Sequence, residues 1–156
     1  MIIDSEQEML NFAKNFTWAG DAAWGTPGGA PATTGEDAAA GPAQARVIEL
    51  IGDVGAGKTT FVRGLAKGLG ITEPITSPSF TISKTYALPA GGNLIHYDFY
   101  RLSDPGLMLD DLEENLKNPK NIVIVEWAES ISDVLPKNKT VIKIKYTDNG
   151  TREVIL

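Results

Sequence analysis

The chain has 156 residues, enough for one domain with a core of its own and too few for two independent ones. Fourteen basic against twenty acidic residues leave a net charge of −6, which argues against a surface built to grip a nucleic-acid backbone. The absence of cysteine excludes disulfide partners and thiolate metal sites, and no apolar run approaches membrane-spanning length. The start Met1-Ile2-Ile3-Asp4 lacks the basic region of a secretory signal, so the expectation is a soluble cytoplasmic protein with no membrane association.

Ser5 to Phe16 reads as a first helix: Ser5 and Glu8 have capping-box spacing, and Met9, Phe12, Ala13 and Phe16 form an apolar stripe expected to pack on a sheet. Residues 17–45 break the pattern. Of these 29 residues, 19 are Ala, Gly or Pro and none is Val, Ile, Leu, Met or Phe, too little apolar surface to offset the entropy of ordering. The stretch reads as a flexible insertion within a single 1–156 domain, with Trp18 and Trp24 as its anchors.

Arg46 to Ile51 is a strand, and Thr59 to Leu69 a helix closed by Gly70, with Phe61, Val62, Leu65, Ala66 and Leu69 inward. Thr72 to Pro78 carries two prolines and small hydroxyl residues that stop the helix, which makes it a candidate switch loop. Ser79 to Leu88 and Leu94 to Tyr100 read as strands joined by a turn at Pro89 to Gly92. Ser103, Asp104 and Pro105 begin a short helix carried by Leu109, Leu112 and Leu116, with Asp110, Asp111, Glu113 and Glu114 as a solvated face. The run Ile122-Val123-Ile124-Val125 is the pattern of a parallel strand buried on both faces. Val141 to Thr147 and Thr151 to Leu156 form a hairpin through Asp148-Asn149-Gly150, with Ile142, Ile144 and Tyr146 on its buried face and Lys143 and Lys145 on its wet one. The order predicts an α/β fold and, with Gly52-Asp53-Val54-Gly55-Ala56-Gly57-Lys58-Thr59 between the first long strand and its helix, a single P-loop NTPase domain with a mostly parallel central sheet flanked by helices and a C-terminal antiparallel β-hairpin.

Between the first long strand and its helix lies Gly52-Asp53-Val54-Gly55-Ala56-Gly57-Lys58-Thr59, a complete phosphate-binding loop. Its backbone N–H groups, from Asp53, Val54, Gly55, Ala56 and Gly57 through Lys58, Thr59 and Thr60, can turn toward phosphate oxygens at the positive end of the following helix. Lys58 adds a full charge near the terminal phosphates, and the Thr59 hydroxyl is the expected Mg²⁺ ligand. Hydrolysis further needs a carboxylate for the metal and a group to orient water. Glu126, after four aliphatic residues at a strand's C-terminal end, stands where a Walker B carboxylate would. Asp98 is the second candidate, placed by period two on one face with His96 and Tyr100. His96 reads as a structural hydrogen-bonder and Trp127 as packing. Arg101 has the chemistry for either a phosphate or a carboxylate.

Gly52 to Thr60, Thr76-Ser77-Pro78-Ser79-Phe80-Thr81, His96-Tyr97-Asp98-Phe99-Tyr100-Arg101-Leu102 and Glu126-Trp127, in this order, resemble the TsaE (YjeE) family over residues 46–156 and, less specifically, the first helix. The resemblance implies a small P-loop ATPase that binds ATP and Mg²⁺, hydrolyses ATP slowly by itself, and works with TsaD and TsaB. That pair modifies adenosine 37 of tRNA with a threonylcarbamoyl group, so tRNA is reached indirectly. Carried onto matching positions, it makes Lys58 the phosphate lysine, Thr59 and Glu126 the Mg²⁺ ligands, Asp98 a catalytic group, and Thr76 and Ser77 part of a nucleotide-sensing switch. The Ala/Gly/Pro stretch departs from the short connection usual in that family.

Three rival readings share the loop. A small-molecule kinase clamps phosphates with several arginines, yet the chain holds only Arg46, Arg63, Arg101 and Arg152, of which Arg46 opens a buried strand and Arg152 lies in the hairpin. A GTPase needs Asn-Lys-x-Asp, and Asn138-Lys139-Thr140-Val141 lacks the Asp. A non-catalytic nucleotide-binding scaffold is the third.

Overall fold

The computed structural model describes residues 1–16, 44–79, 81–100, 102, 104 and 106–156. Trp18 and Trp24, the insertion as far as residue 43, Phe80, Arg101, Ser103 and Pro105 lie outside the described residues. The elements run β1 (Ile2–Ile3), α1 (Glu6–Lys14), β2 (Arg46–Ile51), α2 (Lys58–Gly68), β3 (Ser83–Ala87), β4 (Asn93–Asp98), α3 (Gly106–Lys117), β5 (Ile122–Glu126), a 3-10 turn (Ala128–Ile131), β6 (Thr140–Tyr146) and β7 (Arg152–Ile155).

All seven strands form one sheet in the order β1-β7-β6-β2-β5-β4-β3. The inner four, β6, β2, β5 and β4, are mutually parallel. The outer pairings β1 with β7, β7 with β6, and β4 with β3 are antiparallel. The sheet is therefore mixed rather than mostly parallel, because hairpins and the N-terminal β1, which short-range patterning did not single out, add antiparallel edges around a parallel centre.

β5 shows why a continuous apolar run suits the middle of such a sheet. Ile122 and Ile124 enter the core shared with α1 and α2, while Val123 and Val125 enter the core beneath α3. β2 divides likewise, Ile48 and Leu50 to one side and Val47 to the other. With helices covering both faces, all five positions of β5 are buried.

The Ser5 hydroxyl caps α1 by accepting from the Glu8 N–H at 3.1 Å, and the Glu8 carboxylate returns to the Asp4 N–H. The helix lies mainly against α2, and it also touches β1 at the sheet edge. A Cβ at Gly64 would stand 2.6 Å from the Leu10 carbonyl oxygen and 2.7 Å from the Ala13 Cβ, so a bare glycine lets the two helices approach. Phe12, Phe16 and Phe61 close this contact, Phe16 edge to face with both other rings and Phe12 tilted on Phe61. At its far end α2 stops where the Gly70 and Ile71 N–H groups bond back to the Lys67 and Ala66 carbonyls, the paired bonds of a Schellman cap.

Three local expectations change. Ser79, Thr81 and Ile82 are not strand: the Thr81 and Ile82 N–H groups both bond the Pro78 carbonyl, and Ile82 has φ +66°, so the chain turns before β3. β4 ends at Asp98, because that carboxylate accepts the Tyr100 N–H at 3.0 Å, and Tyr100 is 45% exposed rather than sharing a strand face with His96. Asp111 on α3 is not merely solvated, since it accepts the Tyr97 hydroxyl at 2.6 Å. Among the described residues, no helix is long and apolar enough to cross a membrane.

Candidate functional site

The parallel register brings the site together. Leu50 of β2 lies beside Glu126 of β5, and Glu126 lies beside Asp98 of β4. Three adjacent strands therefore end together at one edge, where ligands bind in open α/β sheets. β2 runs straight into the glycine loop at that edge. Gly52 must be small here, for a Cβ would meet the Ile144 carbonyl oxygen of β6 at 2.3 Å. Gly57, the N-cap of α2, has φ +109°, a conformation that glycine alone adopts easily, and it turns the chain into the helix. The first N–H groups of an α-helix have no partner within it, so the loop side of α2 presents donors and the positive end of its dipole.

Lys58 is 5% exposed, and its ammonium folds back to donate to the Gly52 carbonyl at 2.7 Å and the Asp53 carbonyl at 3.0 Å. The same nitrogen lies 3.6 Å from Glu126 Oε2 and 4.9 Å from the centre of the Trp127 ring. A buried ammonium is tolerated here because carbonyls, a carboxylate and a ring face surround it. Glu126 is also buried, and its other oxygen, Oε1, meets His96 Nε2 at 2.8 Å. Trp127, at φ +58° between β5 and the 3-10 turn, packs on Tyr100 with centroids 4.7 Å apart and also faces the lysine.

One strand over, both Asp98 oxygens are engaged. Oδ2 accepts the Ser79 hydroxyl at 2.6 Å and Oδ1 accepts the Tyr100 N–H at 3.0 Å. Since the Ser79 proton is committed to Asp98, the 2.7 Å contact between the two serine hydroxyls has Ser77 as donor. The exposed segment of Thr76 and Ser77 is thereby tied to the carboxylate, while the Thr76 hydroxyl accepts from Lys84 and the Thr76 N–H donates to the Tyr86 hydroxyl at 3.3 Å. Residue spacing missed Ser79 as the partner of Asp98, because a strand reading left no turn to bring it there.

Tyr146 departs from the buried strand face that alternation predicts: it is 49% exposed, at the end of β6, and its hydroxyl donates to the Gly55 carbonyl of the loop. Behind it a cavity of about 360 Å³ adjoins Gly52 and Asp53, bordered by Trp127, Lys145 and Tyr146. Of the arginines, Arg63 donates to the Ile75 carbonyl at 3.1 Å and pairs with Glu6, and Arg152 lies over the Tyr146 ring at 5.2 Å. Arg46 is buried at the opposite end of β2 from the loop.

Thr59 stands at the second position of α2, so the site offers a hydroxyl and carboxylate oxygens, the donor class of a hard cation. Among the described residues no three His, Asp or Glu side chains gather into a protein-only cage. Mg²⁺ needs none when one or two carboxylates share it with phosphate oxygens and water.

The fold and site define an α/β protein with a glycine loop, a buried lysine and two carboxylates at the C-terminal ends of adjacent parallel strands. Residues 30–154 match the family described as threonylcarbamoyl adenosine biosynthesis protein TsaE, and the chain belongs to that family. It is 43% identical over 111 residues to the tRNA threonylcarbamoyladenosine biosynthesis protein TsaE of Bacillus subtilis, covering 69% of this chain and 66% of that protein. The Nostoc protein of the same name is 42% identical over 113 residues, covering 69% and 67%. The matched stretch thus spans about two thirds of the length of these relatives. A crystal structure of Bacillus subtilis YdiB superposes with a TM-score of 0.66 at 32% identity, over 99% of this chain and 80% of that one.

Proposed function

We propose that this chain is a Mg²⁺-dependent ATPase that serves threonylcarbamoyladenosine formation at adenosine 37 of tRNA, acting in the cytoplasm with TsaD and TsaB. The observation that carries the reading is the buried Lys58 ammonium, held by the loop carbonyls and facing Glu126, with Asp98 on the next strand. A phosphate loop by itself binds nucleotide; two carboxylates at the same sheet edge add what hydrolysis requires.

In this mechanism the backbone N–H groups from Asp53 to Thr60 and the Lys58 ammonium hold the triphosphate of ATP and stabilise charge building on the transferred phosphoryl group. Thr59 and Glu126 would hold Mg²⁺, which supplies neutralisation of phosphate charge. Asp98 accepts a hydrogen bond from the attacking water and aligns it with the terminal phosphate. The Ser77 and Ser79 hydroxyls, bonded in series to Asp98, make Thr76 and Ser77 the segment that senses whether that carboxylate is engaged. The cavity beside Gly52 is of a size for a nucleoside.

Val54 is 66% exposed and Tyr100 45% exposed beside the loop, which supports slow hydrolysis until a partner covers the site. The commitments of Arg63 and Arg152 weigh against a kinase, which would need such groups on phosphates. Phosphate release, measured with and without TsaB and TsaD, tests the reading. Faster release with both present is expected; equal rates would sink partner completion, and no release under either condition would leave a non-catalytic nucleotide-binding scaffold.

A further inference from the structure

We infer that His96 is a positioning residue that orients Glu126 by a hydrogen bond from Nε2, turning the second carboxylate oxygen toward the loop. This deepens the ATPase reading and rests on it for the role of Glu126. In the parallel register His96 lies beside Ile124, so Glu126 is its diagonal neighbour two residues further along β5 on the same face. The imidazole is fully buried and Nε2 stands 2.8 Å from Oε1, while Oε2 faces the Lys58 ammonium at 3.6 Å. The two oxygens thus have separate duties.

The ring's other nitrogen makes the case stronger. An ionised carboxylate only accepts, so Nε2 carries the proton and Nδ1 is left with a bare lone pair. Nδ1 is buried with no hydrogen-bond partner among the described residues. A position needing only bulk would be better filled by an aliphatic side chain, which leaves no polar atom unsatisfied. The chemical gain from an imidazole here is the Nε2–H bond to Glu126. A ring with two torsions fixes that donor more tightly than a flexible chain does, which suits a group whose work is to hold a ligand's orientation.

His96 is the chain's single histidine, so a ¹⁵N imidazole spectrum reports one ring. The Nε2-protonated tautomer is expected, with signals that move in Glu126→Ala. The opposite tautomer, or a ring indifferent to Glu126→Ala, overturns the inference. Next, the Mg²⁺ concentration for half-maximal binding of a fluorescent, non-hydrolysable ATP analogue is compared across variants. His96→Leu is expected to raise it by about tenfold to a hundredfold, and His96→Gln, which carries an N–H to the place of Nε2, to restore most of the loss. Wild-type Mg²⁺ dependence in His96→Leu, or equal loss in both variants with far-ultraviolet circular dichroism unchanged, overturns it. If His96→Leu does not fold, His96→Gln against the shorter His96→Asn decides, and equal behaviour of these two counts against the inference. The ATPase reading is judged separately by wild-type phosphate release: a chain that releases none while its imidazole still reports Glu126 loses the hydrolysis and keeps the positioning contact.

Discussion

The ammonium of Lys58 lies 3.6 Å from the carboxylate of Glu126, with both side chains almost sealed from solvent. Two buried opposite charges are tolerable because each has further partners, the loop carbonyls for one and His96 for the other. Neither residue's neighbours in sequence supply the contact. It exists because β2 and β5 are adjacent and parallel, so that the loop after one strand and the last residue of the other meet.

Replacing the lysine tests the charge. Lys58→Ala should lower phosphate release on the order of a hundredfold or more, the usual cost of removing a preorganised electrostatic donor. A variant that keeps its circular dichroism spectrum and its activity would remove Lys58 from the mechanism.

The two carboxylates should separate by metal dependence. Glu126→Ala is expected to shift the Mg²⁺ titration of phosphate release to higher concentration, whereas Asp98→Asn should lower the rate at saturating Mg²⁺ on the order of a hundredfold and leave the titration midpoint near wild type. The reverse pattern would make Asp98 the direct ligand.

Gly64 sets the approach of α1 to α2. Gly64→Ala gains about 0.5–1 kcal/mol of helix propensity, but the new Cβ meets backbone, and overpacking of that kind costs about 1–3 kcal/mol. Because the Leu10 carbonyl at 2.6 Å cannot swing aside as a side-chain tip can, the steric cost wins. Urea denaturation should show a lower midpoint, and an unchanged or higher midpoint would refute the tight contact.

Tyr97 predicts an alkaline limit. Burial first, and then its hydrogen bond to Asp111, raise the phenol well above its ordinary value near 10. The folded state therefore keeps the proton while the unfolded state releases it above about pH 10, and stability falls as pH rises through that region. Below it the contribution is fully present. Tyr97→Phe should flatten this alkaline slope in chemical denaturation and lower stability at neutral pH, since Asp111 and Asn115 lose their shared partner.

Much of the architecture could be read from residue order, since local patterns carry local physics. The Ser5 cap, the strand from Arg46 to Ile51, the buried run of β5, the end of α2 at Gly70 and the turn at Asp148 to Gly150 each depend on residues close together in the chain. The loop from Gly52 to Thr59 and the chemical types of Lys58, Asp98 and Glu126 are legible for the same reason: a glycine, a charge or a hydroxyl at fixed spacing has few uses.

Tertiary structure alone decided which of these groups meet. Strand order depends on long-range pairing, so nothing in the spacing places β5 between β2 and β4, or the short β1 at the edge beside β7. That order sets Glu126 between Lys58 and His96 and brings Ser79 to Asp98. It also moved Tyr146 from an expected buried face to the rim of the loop. Sequence determined the donors and acceptors available, because side-chain chemistry is local. The parallel register determined their partners, because hydrogen bonds form only between groups that the fold holds within about 3 Å of each other.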